Sequence, residues 1–201
     1  LKKLGLHIFD PLGEYVFQLV VSDGAAFSQP DTVKVTCKIG SAPDAYGYSW
    51  IDSDNIYGPA YGWEDIGKRY RIENIAGSSG RVLGSITLSF DFDFYGMKYR
   101  KIYIQSSGVI SFGSSTIYSY YSIPQNEGYD NLIAWMWADM ELTNDSIVYY
   151  KTFSDRIVIQ FVNWSFYSVP GKVDAQVTLY KSGKIVFLYK NVSFDKNFGS
   201  Y

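Results

Sequence analysis

One stretch constrains this chain more than any other: Asp130-Asn131-Leu132-Ile133-Ala134-Trp135-Met136-Trp137-Ala138-Asp139, an apolar run with two tryptophans and an aspartate at either end. It is too short to span a bilayer, which takes about 20 apolar residues. Its Leu, Ile, Trp and Met suit a buried strand or a buried helix, and periodicity alone does not separate the two. The neighbours decide for strand. Alternating segments precede it (Tyr99 to Ile104, Val109 to Phe112) and follow it (Ile147 to Lys151, Arg156 to Val162). The run is therefore expected at the centre of a sheet, buried on both faces. Side chains two apart in a strand point the same way, which would set Trp135, Trp137 and Ile133 on one face. Leu132, Ala134, Met136 and Ala138 would take the other.

A chain of 201 residues holds one large or two small domains. With 47% hydrophobic residues it can build a core without staples. Its abundant Tyr, with Phe, Val, Ile and Thr, fits a pleated, half-buried surface, so an all-β protein is expected. The formal charge is −2, and the densest basic group, Lys68, Arg69 and Arg71, is too small to track phosphates. Nucleic acid is therefore excluded as a partner class. The lone cysteine, Cys37, has no partner for an internal disulfide and no companions for a metal site. It reads as a small core residue at the end of a strand, or as one half of an intermolecular bridge. No signal peptide, lipidation motif or transmembrane run is present, an absence that says little because the chain does not begin like a nascent protein; no membrane insertion is expected. Leu1 is no initiator, so the sequence reads as a piece of something longer.

Residues Gly13 to Ile39 alternate on both sides of a turn. Tyr15, Phe17, Leu19 and Val21 share one face, Ser22-Asp23-Gly24 turns the chain, and Val33, Val35 and Cys37 share a face of the returning strand. Asp-Gly between alternating runs is a hairpin signal. The pattern Gly13-x-Tyr15-x-Phe17-x-Leu19-x-Val21-x-Asp23-Gly24, then Pro30-Asp31-Thr32-Val33-x-Val35, resembles the last two strands of PKD and related immunoglobulin-like modules of microbial surface proteins. Such a module has about seven strands. Only Leu4 to Phe9 offers a third here, so residues 1–40 are expected to be a partial immunoglobulin-like segment.

Gly40-Ser41-Ala42-Pro43-Asp44 is a linker by composition. After it come Tyr48-x-Trp50-x-Asp52-Ser53-Asp54, Gly58-Pro59, Phe94-Tyr95-Gly96 and Ser107-Gly108-Val109-Ile110-Ser111-Phe112-Gly113. Ile123-Pro124, Asp130-Asn131-Leu132-Ile133-Ala134, Val148-Tyr149-Tyr150, Arg156 to Phe161 and Gly183 to Lys190 follow. This order, over about residues 46–192, resembles an all-β module of large bacterial extracellular proteins, distantly similar to nidogen-like domains. Trp135-Met136-Trp137-Ala138-Asp139 departs from the family's Pro-Phe-Trp-x-Asp, and the family continues into at least one more strand. The resemblance implies an antiparallel β-sandwich over 44–201 and an extracellular or cell-surface setting. Independently, Phe90-Asp91-Phe92-Asp93-Phe94 alternates with phenylalanines inward, and Tyr95-Gly96-Met97-Lys98 reads as a tight turn. Lys181-Ser182-Gly183 reads as a short hairpin loop with a left-handed glycine.

Candidate sites are few, and no catalytic constellation is found. His7, the sole histidine, lies far in sequence from any nucleophile, and zinc would need several His and Cys. Asp52, Asp54 and Asp65, with Ser53 and Glu64 between them, can gather oxygen ligands around Ca2+. Their spacing fits no EF-hand loop, and Asp and Ser also populate turns for backbone reasons. Asp139 and Glu141 could pair as glycosidase carboxylates do, or simply end a strand at the solvent boundary. Most of Trp50, Trp63, Trp135, Trp137 and Trp164 are expected in the core; the alternative is a sugar-stacking platform. Tyr118, Tyr120 and Tyr121 sit in a polar-aromatic loop suited either to the core edge or to an interface. Asn144, Asn163 and Asn191 head glycosylation sequons.

These features favour a non-enzymatic structural or adhesive module with no cofactor beyond possible calcium. Its partners would be further copies or neighbouring domains. Val- and Tyr-rich strands lacking partners invite strand addition, which builds open filaments head to tail. The donor would lie between Leu4 and Ile39, with Tyr15, Phe17, Leu19 and Val21 filling a neighbour's groove. Cleavage of a parent protein at both places explains the ragged ends equally well. The alternative class is an accessory module holding carbohydrate or protein for an enzyme elsewhere on the parent chain.

Overall fold

The structure, a computed structural model, describes residues 13–37, 41–55, 57–68, 70–78, 80–117, 131–167 and 169–194. Every regular element among them is a strand. The chain divides into two compact units, Leu1–Tyr61 and Gly62–Tyr201.

In the first unit β1 (Gly13–Leu19) pairs antiparallel with β2 (Asp31–Cys37), placing Phe17 opposite Val33. The connection is organised by Asp23. One of its carboxylate oxygens accepts from the N–H groups of Ala25 and Ala26, both at 2.9 Å, which holds that carboxyl below its ordinary pKa. Among residues of this unit whose side chains are described, none is buried. Residues 41–61 add turns, among them one in which an Asp44 carboxylate oxygen accepts from the N–H groups of Tyr46 and Tyr48.

The second unit is an antiparallel sandwich. One sheet has the order β13-β12-β11-β10-β3, from Ile185–Phe194, Gly171–Tyr180, Arg156–Ser165, Ile147–Thr152 and Arg71–Ile72. The other has the order β5-β6-β7-β8, from Val82–Phe94, Met97–Gln105, Val109–Ser111 and Leu132–Ala134. A minor pair joins β4 (Gly77–Ser78) to β9 (Glu141–Leu142). Phe90, Phe92 and Phe94 are buried as their alternation requires, and Phe92, Phe94 and Tyr99 each pack on the Phe112 ring. Tyr95 and Gly96 both take positive φ, 47° and 79°, the geometry of a two-residue hairpin loop that follows the strand twist. The β12–β13 hairpin closes over Lys181-Ser182-Gly183, with Gly183 at φ 87°.

The tryptophan-rich run departs from expectation. Only Leu132–Ala134 is strand, and it stands at the end of its sheet rather than at its centre. The cause is Gly108. Its carbonyl accepts from the N–H groups of both Trp135 and Met136, at 3.2 and 3.1 Å, so the chain bends around it and leaves the ladder. A side chain at position 108 would put its Cβ 1.7 Å from the Met136 carbonyl oxygen, and φ is 72° there. Only glycine fits that approach. Trp135 and Trp137 therefore do not share a strand face: Trp135 is buried and Trp137 half-buried. The Trp135 ring enters the core, stacked on Phe161 at 4.0 Å and edge-on to Trp164 at 5.2 Å, and so ties the two sheets together.

Candidate functional site

The outer face of the five-stranded sheet is crossed by a strap, residues 63–66. Directly opposed residues of antiparallel strands share a face, so Val158, Gln160, Gln176, Thr178 and Tyr149 all lie on that side. The Gln176 carboxamide binds the strap backbone in both directions. Its oxygen accepts from the Glu64 N–H at 3.1 Å, and its nitrogen donates to the Glu64 carbonyl at 2.6 Å and to Gln160 Oε1 at 2.9 Å. Arg156 clamps the Glu64 carboxylate at 3.0 and 3.2 Å and lies over the Phe153 ring, 4.1 Å from its centre. Ile66 completes a buried cluster with Tyr149 and Val158. Glu64 and Gln176 are thus engaged within the fold at this face.

A second polar network holds the Ser106-Ser107-Gly108 turn. Buried Gln105 donates to Ser111 Oγ at 2.7 Å and to the Ser115 carbonyl at 2.9 Å, and accepts from the Ile117 N–H at 2.8 Å. Ser107 donates to the Ile117 carbonyl at 2.8 Å. These groups satisfy one another, as buried polar groups must. They position the chain rather than a substrate.

Among the described residues, two strands carry exposed apolar rows. On the β1–β2 hairpin Phe17 and Leu19 are exposed by 49% and 62%, and Val21, Phe27 and Val33 are exposed too. The Tyr15 side chain, and Tyr118, Tyr120 and Tyr121, lie outside what the structure describes. The second surface was not singled out from sequence. Phe187, Tyr189 and Val192 of β13 stand opposite Val177, Ala175 and Val173, which are fully buried or nearly so. They therefore belong to the core-facing side, yet they are 40%, 41% and 46% exposed. Only the Tyr189 hydroxyl is tucked in, donating to the Trp135 carbonyl, and burial raises its pKa. The one sequence signal of this row is that Ile185-Val186-Phe187-Leu188-Tyr189 is apolar on both faces.

The other candidate residues fall into turns and edges. One carboxylate oxygen of Asp52 accepts from the Asp54 N–H at 3.2 Å, and one of Asp65 from the Gly67 N–H at 3.0 Å, the turn chemistry expected of Asp. Among the described residues no group of three or more His, Cys, Asp and Glu gathers as metal ligands would. Asp139 and Glu141 are exposed and flank buried Met140. Trp164 is buried, Trp63 is half-buried beneath the Lys190 ammonium at 5.4 Å, and Trp50 is 62% exposed, so the expectation of a mostly core set fails for Trp50. A recess of about 220 Å3 beside β3 contains Arg71 and Glu73. They hydrogen-bond each other, which lowers the Glu73 pKa and raises that of Arg71. Of the sequon asparagines, Asn144 is exposed in a turn, Asn163 sits at a bulge with φ 54°, and Asn191 donates to Asp174 Oδ2 at 2.7 Å. His7 lies outside the described residues.

Among the described residues no helix is long and apolar enough to cross a membrane. No solved structure matches the chain. The family model described as NIDO-related matches residues 61–200, the span of the second unit and well over half of the sequence. That family is a nidogen-related, non-catalytic module type typical of extracellular proteins. The chain belongs to the NIDO-related family.

Proposed function

We propose that this chain is a structural or adhesive module of an extracellular assembly, and that it self-associates through the β1–β2 hairpin. The observation that carries this reading is the hairpin's exposed apolar row. An isolated two-stranded hairpin is marginal in water, and a row such as Phe17, Leu19 and Val33 gains stability only when something covers it. In this reading residues 1–40 supply closing strands of an immunoglobulin-like kind whose apolar face is filled by a neighbour. Light scattering across a wide concentration range tests it. The average mass rises with concentration if the reading holds; a well-folded chain that stays monomeric throughout overturns it.

A second reading has its own support. Tyr46, Trp50, Tyr57 and Tyr61 are all exposed within a segment rich in turns, and exposed aromatics of this kind suit the stacking of sugar rings. The chain would then hold carbohydrate for a partner activity. A glycan array distinguishes the two: binding lost on Trp50→Ala supports the second reading, and the absence of any glycan signal removes it.

A further inference from the structure

We propose that β13 is the acceptor edge for β1 of a second copy, so that copies join head to tail through a continuous sheet. The proposal rests on the self-association reading above and names its missing half.

Three observations converge on it. Among the described residues β13 ends the five-stranded sheet, with β12 on one side and no strand on the other, and β1 likewise has only β2 beside it. Each strand therefore offers a line of backbone N–H and C=O groups to an incoming strand, the geometry of β-strand addition. Beside the β13 edge runs the exposed core-facing row Phe187, Tyr189 and Val192; beside β1 runs the exposed row Phe17 and Leu19. Pairing the two edges with these rows on one side joins them into one apolar layer and covers both. Natural edges are often guarded by lysine and bulges. Here the lysine at the β13 irregularity, Lys190, lies over the Trp63 ring of the strap, so its charge is held away from the row.

Charge selects the partner. The β1–β2 hairpin, residues 13–37, carries Glu14, Asp23 and Asp31 against Lys34, whereas the β12–β13 hairpin, residues 171–194, carries Lys172, Lys181, Lys184 and Lys190 against Asp174, so the first is net acidic and the second net basic. Two hairpins pairing with each other, or two β13 edges, would bring like charges together. The mixed pairing brings opposite charges together, which steers encounter and disfavours the symmetric alternatives. A contact between two different surfaces of identical chains leaves one of each free at the ends, so growth is open unless the rotation happens to close a ring.

Complementation of two defective full-length chains tests this. Phe17→Lys with Leu19→Lys disables the donor; Phe187→Lys with Val192→Lys disables the acceptor. All four positions are exposed, and circular dichroism with a thermal melt checks that each variant keeps the sandwich. Val192→Lys alone replaces the second variant if the pair disturbs folding. By light scattering the unaltered chain forms assemblies larger than dimers, each variant alone is a monomer, and a one-to-one mixture stops at the dimer. If the β13 variant assembles like the unaltered chain, or the mixture stays monomeric, β13 is not the acceptor and the hairpin reading survives. If the unaltered chain is itself monomeric at every concentration, both readings fall.

Discussion

At the scale of single residues, Trp135 is the joint of the second unit. It is 2% exposed, packed between Phe161 and Trp164, and its carbonyl receives the Tyr189 hydroxyl. Truncation to Ala removes a full aromatic side chain from a tight core and should cost about 3–5 kcal/mol by chemical denaturation. Among the described residues its indole N–H has no hydrogen-bond partner, so Trp135→Phe forfeits ring area but no hydrogen bond and should cost roughly half as much. A Phe variant as damaging as Ala would show that the N–H is satisfied after all. Tyr189 gives a pH signature. Burial raises its pKa above the ordinary 10.0, so the folded state disfavours the phenolate. The unfolded chain then releases its proton first. The stability this group contributes is whole below pH 10 and is lost as pH rises through the folded value. Tyr189→Phe should therefore flatten the alkaline arm of a stability-against-pH curve, while costing about 1 kcal/mol at neutral pH for the lost hydrogen bond.

At the scale of elements, what was legible and what was not divides by range along the chain. Alternation revealed β5, β6, β10, β11 and the hairpins, because a period of two is a local property. The tryptophan run was misread because its bend is imposed by the Gly108 carbonyl, 27 and 28 residues away from Trp135 and Met136 in sequence, which no apolar pattern encodes. The strap was invisible for the same reason: Glu64 meets Arg156 across 92 positions and Gln176 across 112. The β13 edge was not singled out because an exposed strand and an interior one can carry the same apolar residues. The strap makes a sharp prediction. Gln176→Ala leaves both the Glu64 N–H and its carbonyl without their partner and should cost about 1–3 kcal/mol. Hydrogen exchange reads it directly: the Glu64 amide should exchange much faster in the variant, while amides in β11 and β6 change only with global stability. Unchanged protection at Glu64 would mean the strap is held by Arg156 and Ile66 alone.

At the scale of the whole molecule, the two units differ in what holds them together. Every buried hydrophobic residue among the described positions, from Ile66 to Leu179, belongs to the second unit. A chain of residues 62–201 therefore retains the complete described core and should melt cooperatively at close to the full-length temperature. The first unit, with no buried residue among those described, adds little to that core. What the shortened chain loses is the hairpin, and with it the association measured by light scattering. The strap sets how far trimming can go. Starting instead at residue 68 removes Ile66, whose burial against Tyr149 and Val158 is worth about 2–3 kcal/mol, and leaves the half-buried Arg156 without Glu64. A partly exposed pair of this kind adds about 1 kcal/mol at most. The 68–201 chain also loses the Glu64 backbone bonds to Gln176, so it should be clearly less stable than the 62–201 chain, by at least about 3–4 kcal/mol in denaturant. Equal midpoints would show that the strap only lies on the sheet. A 62–201 chain that fails to fold would show that the first unit, despite its exposed surface, supports the sandwich.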